Sequence, residues 1–440
     1  MILVVVVLLI VGVAWSLANP FASLILLLGI NMIGPGELYP VLAPLHLERT
    51  VAILALVVLF ARGYRFLYPR ITKWVLYFYG ACLASIPLSF WVSNAVTNAI
   101  DFAKTIVIHL LYVTLVTTRR RMQIVLVAFC CLIGYLCVTS LSLYFQGAYQ
   151  YTMNTDRIMG LTGAATAPDS LGLTLVTAMP IAYLFTRKPC GGWLRLTMWC
   201  ILALAVWTML LTGARGVTYT FLLLLVIAVL LHRRRLLLLP MALVFVGLLW
   251  ISLPAQYKAR YSSVNDLQQD ASYQNRLLSW EGGWHMFLHN PLTGIGIGNY
   301  TAANGALYWP APHRIYLNAH SIYFKLLGEL GLGGLITFAG LVTVLIKTNN
   351  QVRRRLRAID AAAREGDSRA ETVPDWLRLF PTASTLIIIE LLYCGYGYHD
   401  LYRSTWYFLA AASAAADLLT AREMSALAAA PEATTVVESA

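Results

Sequence analysis

Long apolar segments recur along the whole chain, and short clusters of arginine and lysine separate them. Hydrophobic residues make up 59% of the 440 residues and charged residues only 12%. Soluble domains contain about 45–50% apolar residues and about 25% charged residues. A helix of about 20 mainly apolar residues crosses a bilayer with its backbone polar groups satisfied internally. We therefore predict an all-α, polytopic integral membrane protein with about 12 transmembrane helices, and we exclude a soluble or nucleic-acid-binding domain.

The basic residues predict which connections face the cytoplasm. The formal net charge is +12, and lysine and arginine clusters beside membrane spans mark the cytoplasmic side. From the third apolar segment onward, these clusters occupy every second connection, so the connections between them lie on the extracytoplasmic face. The clusters are Arg62/Arg65/Arg70/Lys73, Arg119–Arg121, Arg187/Lys188/Arg195, Arg233–Arg235 and Arg353–Arg355 with Arg357.

Only one of the predicted extracytoplasmic connections is long. Its apolar residues follow a helical period that stops at Asn290-Pro291, which predicts an amphipathic helix near the membrane surface. We predict, in chain order, about nine or ten transmembrane helices in 1–252, the long loop with amphipathic helices in 253–320, one transmembrane helix in 321–347, a cytoplasmic linker in 348–381, two transmembrane helices in 382–421 and a disordered tail in 422–440.

Arg215 lies in a Leu-Thr-Gly-Ala-Arg-Gly turn, at the point where one apolar segment ends and the next begins. A charge costs about 2.5–3.5 kcal/mol at the centre of a membrane helix and less near its end, so it usually has a partner or a ligand. The alternative is an arginine that snorkels to lipid headgroups. The positive-inside bias disfavours arginine on this face, which favours a ligand.

Three further residues of the same face are candidates for chemistry. Arg276 opens the predicted amphipathic helix, where its charge has the unfavourable sign unless an anion binds there. His320 precedes a long apolar segment at the aqueous edge of the bilayer, where a neutral imidazole can act as a base near pH 7; a capping or interfacial histidine is the alternative. Arg157, in another outer connection, is a weaker third arginine.

Two neighbouring features are predicted to be structural. Lys325 and Glu329 are four residues apart in the segment that follows His320, which predicts an ion pair facing the interior of the bundle. The glycine-rich run at 294–298 neither follows a predicted strand nor opens a helix, so it is predicted to be a turn rather than a nucleotide-binding loop.

The acidic residues of the predicted outer face are scattered among arginines and form no Asp-x-Asp motif, so we expect catalysis to rest on arginine and histidine. A guanidinium group binds phosphate oxygens in bidentate fashion and can stabilise a departing diphosphate. A histidine can remove the proton from an acceptor hydroxyl. This combination fits a sugar donor with a diphosphate headgroup and a lipid tail, used without a metal or a cofactor.

Three segments of the chain resemble the O-antigen ligases and the wider superfamily that includes O-antigen polymerases and pilin oligosaccharyltransferases. They are the turn at 211–216, the run from Arg276 through Trp280 to Gly296, and the segment 319–331. The usual His-Asn pair of the family is His320-Ser321 in this chain.

The resemblance implies a GT-C-like glycosyltransferase of the bacterial inner membrane. It would transfer O-antigen glycan from undecaprenyl diphosphate to the lipid A core oligosaccharide at the periplasmic face, with inversion and without a metal. Arg215 and Arg276, with Arg157, would bind the diphosphate, and His320 would be the general base. The alternatives are an O-antigen polymerase or a protein O-oligosaccharyltransferase with the same donor, and, outside enzymes, a lipid-linked glycan transporter.

Overall fold

The computed structural model describes residues 2–152, 154–161, 166–187, 190–232, 234–262, 271–309, 314–365, 367 and 372–428. The structure is 79% helical, which confirms the prediction of an all-α polytopic membrane protein. In the described residues, seven helices are long and apolar enough to cross a membrane, and three shorter apolar helices accompany them. The total of about 12 spans stays a prediction.

The first third of the chain forms seven α-helices before the first strand. They are α1 (Ile2–Ala18), α2 (Pro20–Ile33), α3 (Pro35–Leu38), α4 (Leu47–Ala61), α5 (Arg70–Ala84), α6 (Val92–Leu115) and α7 (Arg119–Phe145). A small antiparallel hairpin follows, in which Gln150 pairs with Arg157; its strands are β1 (Gln150–Thr152) and β2 (Thr155–Arg157).

Ten more helices follow the hairpin. They are α8 (Pro168–Leu184), α9 (Gly192–Leu211), α10 (Arg215–Leu231), α11 (Arg235–Ser252), α12 (Ala255–Ser262), α13 (Ala271–His289), α14 (Tyr300–Ala303), α15 (Ile322–Arg364), α16 (Asp375–Cys394) and α17 (Ser404–Ala428).

Two of the predicted basic clusters lie at the same end of the bundle. Arg119, at the start of α7, pairs with Glu423 near the end of α17 at 2.7 Å, and Arg355 of α15 pairs with Asp417 at 2.6 Å. Two of the predicted cytoplasmic clusters therefore lie at one end, which we call the basic end. We call the opposite end, where α8, α10, α15 and α17 begin, the site end.

Helices at the basic end continue into the predicted cytoplasmic linker and into the predicted tail. The segment 351–364 is rich in alanine and arginine, which are strong helix formers, and α15 continues through it to Arg364. Arg378 of α16 pairs with Asp360 of α15 at 2.9 Å. α17 reaches Ala428, inside the predicted tail, and residues 429–440 lie outside the described part of the chain.

The core of the bundle is aromatic where α5, α6, α15 and α17 meet. Phe102 and Tyr407 are 4.8 Å apart, and Phe78 and Phe338 are 5.6 Å apart, measured between ring centroids. Every residue from 406 to 416 of α17 is buried. A helix that is apolar on all sides belongs in the centre of its fold, and the alanines of this segment let neighbouring helices approach closely.

A kink divides α15 close to the site end. Gly331 has φ 58° and ψ −150°, which breaks the helix. The carbonyl groups of Gly328 and Glu329 instead accept hydrogen bonds from the backbone N–H groups of Ile295 and Gly296, both at 2.9 Å. We call residues 291–298 the glycine strap. The segment forms turns, as predicted, and it fixes the first turns of α15 beside the long loop.

We expect Gly294→Ala to destabilise this junction. Gly294 has φ +63°, and a Cβ added there would fall on the backbone of Glu329. Forcing a side chain into a left-handed conformation costs about 1–3 kcal/mol before any clash is counted. A lower melting temperature in detergent is therefore expected for Gly294→Ala. Gly29→Ala is the control, because nothing lies within 4 Å of its Cβ position; equal melting temperatures for the two variants would contradict this account.

Candidate active site

The connection Gly395–Arg403, between α16 and α17 at the site end, is the point where the predicted site residues converge. We call it the site loop. A Cβ placed on Gly397 would lie 3.4 Å from Nη1 of Arg276. The ring of His320 is perpendicular to that of His399, with 5.1 Å between the centroids. Arg276 lies in α13 and His320 lies just before α15. Two separate segments therefore meet the same short loop.

The turn that carries Arg215 meets the site loop as well. Gly216 lies against the ring of Tyr398, which is 3.1 Å from the position of an added Cβ. Arg215 is the first residue of α10 and is half-buried. The structure thus brings together Arg215, Arg276 and His320, which are far apart in the sequence.

Arg157 is placed behind the Arg215 turn. Its side chain is buried, with only 6% of it exposed. Its Nε donates a hydrogen bond to the carbonyl of Thr212 at 2.7 Å, and its Nη2 forms an ion pair with Asp169. These bonds fix the conformation of the turn, because a charged donor to a buried carbonyl is among the stronger hydrogen bonds.

Arg260 of α12 is a further member of this cluster. Its Nε donates to the carbonyl of Gly213 at 2.7 Å. Burial lowers the pKa of Arg260, and the nearby charges of Arg157 and Arg215 lower it further. Three guanidinium groups thus surround one turn, and a bound anion would relieve their repulsion. The only sequence signal for Arg260 was its place among the few arginines of the predicted outer face.

Trp280 connects the helix that carries Arg276 to the segment that carries His320. It lies one turn after Arg276 in α13, and its Nε1 donates to the carbonyl of Ala319 at 2.8 Å. Its indole ring stacks on Phe324 of α15, with 5.4 Å between the centroids, and contacts Tyr396 of the site loop. One tryptophan therefore joins α13, the approach to α15 and the site loop.

His320 is neutral at pH 7. Burial lowers its pKa to about 4, the charges of Arg276 and Lys325 lower it as well, and Asp169 opposes them. Its backbone has φ 45°, a left-handed conformation that is uncommon outside glycine, asparagine and aspartate. Backbone strain of this kind concentrates at functional sites, and a neutral imidazole can accept a proton.

His399 and Asp400 of the site loop were not predicted as functional residues. Burial and the charge of Lys325 lower the pKa of His399 well below its usual range. Burial raises the pKa of Asp400, although Arg403 lies 3.2 Å from its carboxylate. The available signal was a His-Asp pair in a short connection between two apolar segments.

The predicted ion pair between Lys325 and Glu329 is wrong. Glu329 accepts hydrogen bonds from the backbone N–H of Tyr300 at 3.1 Å and from the hydroxyl of Tyr402 at 2.7 Å. Lys325 instead places its ammonium 5.2 Å from the centroid of the Tyr402 ring. The start of α14 and Tyr402 therefore hold the carboxylate in place of the lysine.

Apolar helices that cross a membrane, with arginines and histidines gathered at one end, define a multi-pass membrane protein with a candidate anion site. A family model described as O-antigen ligase matches residues 200–339, so the resemblance is confirmed over this segment. The matched segment contains Arg215, Arg276 and His320, and it is similar to the glycosyltransferases of the O-antigen ligase/polymerase type. Comparison with curated proteins gives no match.

Proposed function

We propose that the protein is an O-antigen ligase. It transfers glycan from undecaprenyl diphosphate to the lipid A core oligosaccharide at the periplasmic face of the bacterial inner membrane. The observation that carries the proposal is the convergence of Arg215, Arg276 and His320 on the site loop, at the end of the bundle opposite to two of the basic clusters.

In this proposal, the arginines hold the diphosphate. Arg215 and Arg276 bind its oxygens, and Arg260 adds charge to the Arg215 turn. Negative charge grows on the diphosphate as its bond to the sugar breaks, and guanidinium groups fixed before the reaction stabilise that charge. Arg157 contributes mainly by fixing the turn, because Thr212 and Asp169 already occupy two of its nitrogens.

His320 activates the acceptor. Its neutral imidazole removes the proton from an acceptor hydroxyl, and the hydroxyl oxygen attacks the anomeric carbon. The bond from that carbon to the diphosphate oxygen breaks, and its electron pair stays with the departing lipid diphosphate. Attack from the face opposite to the leaving group inverts the anomeric configuration. Bound diphosphate offsets the charge of Arg276, which raises the pKa of His320 toward the useful range for a base.

The test is transfer by the purified protein in EDTA and without ATP. We expect a new glycosidic bond between the lipid-linked glycan and lipid A core, detected by mass spectrometry. Parallel reactions offer a second lipid-linked glycan or a pilin peptide as acceptor, since a polymerase or a protein glycosyltransferase would use those instead. Movement of the donor across vesicles with no new bond would indicate a transporter and contradict the proposal, as would a strict requirement for Mg²⁺.

A further inference from the structure

Lys325 is a buried cation without a charged partner. Only 9% of the residue is exposed. Within the described residues, its ammonium makes no ion pair and no side-chain hydrogen bond, and its one specific contact is the Tyr402 ring at 5.2 Å. Buried charges are normally paired, because the loss of hydration is otherwise uncompensated. An unpaired lysine in such a position indicates that its partner comes from outside the chain.

The surroundings of Lys325 are predominantly positive. Its charge lowers the pKa of both His320 and His399, and Arg276 acts on the same two histidines. The nearby carboxylate of Asp400 lies beside Arg403. Lys325 is also the fourth residue of α15, where the helix dipole adds to the positive potential. Positive groups therefore outnumber the carboxylates of Asp169 and Asp400 around the two histidines.

We propose that Lys325 binds an anionic oxygen group, a phosphate or a carboxylate, of the acceptor glycan. This inference rests on the proposed function, since it assigns a substrate to one side of the same site. The position of Lys325 favours the acceptor, rather than the donor, as the substrate that carries this anion. Lys325 acts on the two imidazoles, where the acceptor hydroxyl must approach its base, whereas Arg157, Arg215 and Arg260 surround the 212–216 turn. Arg276 acts on both imidazoles as well, so in this proposal the donor and the acceptor meet there.

Acceptor binding would also adjust the base. The groups that act on His320 are Arg276 and Lys325, which lower its pKa, and Asp169, which raises it. The neighbouring site loop adds His399 and the pair of Asp400 with Arg403. An anion held by Lys325 offsets the positive charge in this set, so the base becomes stronger when the acceptor is in place.

The test compares Lys325→Met and Lys325→Arg with the wild type. We expect Lys325→Met to raise the KM for lipid A core by about 10- to 100-fold, the usual effect of losing one charged hydrogen bond, and to leave the KM for the lipid-linked donor unchanged. Lys325→Arg keeps the charge and is expected to retain most of the affinity. Lys258→Met is the control, because Lys258 donates to the carbonyl of Ile251 away from the site.

Thermal stability separates binding from a structural role. Lys325→Met removes an unpaired buried charge, so we expect an unchanged or higher melting temperature. A lower melting temperature with an unchanged KM for the acceptor would overturn the inference, and so would a raised KM for the donor. Binding of lipid A core alone, measured by microscale thermophoresis, tests Lys325 even in a preparation that transfers no glycan. A failure of the proposed function is thus distinguishable from a failure of this inference.

Discussion

Replacing Arg215 or Arg276 with alanine is expected to lower the rate of glycan transfer by about 10³-fold or more. Losing one fixed donor to a developing negative charge costs about 10²–10³-fold, and losing a catalytic arginine costs about 10³–10⁵-fold. Arg276 reaches the site loop from α13, and Arg215 begins α10 beside Gly216, which packs on Tyr398 of that loop, so neither arginine can take the place of the other. The measurement is single-turnover transfer with saturating donor.

Two matched variants accompany this experiment. Arg314→Ala removes an exposed arginine from the same long loop and is expected to leave transfer unchanged. Arg215→Lys keeps the charge but loses the planar fork that binds phosphate through two nitrogens, so intermediate activity is expected. Near-native turnover by Arg215→Ala or Arg276→Ala, with normal expression and melting temperature, would exclude a role in holding the diphosphate.

The sequence singled out three residues of the candidate site and missed others that the structure places beside them. Arg215, Arg276 and His320 stood out because charged or titratable groups are unexpected at the outer edge of a membrane protein. His399 did not stand out, since a histidine in a short connection has many ordinary explanations. Its importance comes from burial beside His320, and burial between distant segments cannot be derived from spacing along the chain.

The spacing of Lys325 and Glu329 along a regular helix could not predict that Tyr300 and Tyr402 would bind the Glu329 carboxylate. The pairing of Lys325 with Glu329 assumed a regular surface with neighbours four residues apart. Gly331 breaks the helix two residues after Glu329, and backbone groups of the glycine strap replace the helical hydrogen bonds. Glycines at 294 and 331 are visible in the sequence, but their positive φ values depend on how two segments cross.

Replacing His320 is expected to slow transfer by about 10²–10⁴-fold, the usual contribution of a general base. The acceptor hydroxyl then has no group positioned to remove its proton, while the diphosphate site remains intact. We therefore expect kcat to fall and the KM for the lipid-linked donor to stay near the wild-type value. Hydrolysis of the donor by water, measured without acceptor, reports whether the diphosphate is still bound productively.

The choice of substitution matters because His320 adopts φ 45°. Asparagine tolerates a left-handed backbone and cannot serve as a base near pH 7, so His320→Asn separates the loss of chemistry from local strain. His285→Ala, on the exposed face of α13, is the control.

In the wild type, the pKa of about 4 for His320 places the acidic decline of kcat/KM for the donor well below pH 6, because the imidazole becomes protonated only there. In the donor complex the pKa is higher, so kcat should decline at a higher pH than kcat/KM. Coincident declines near pH 6.5, or full activity of His320→Asn, would show that another group accepts the proton.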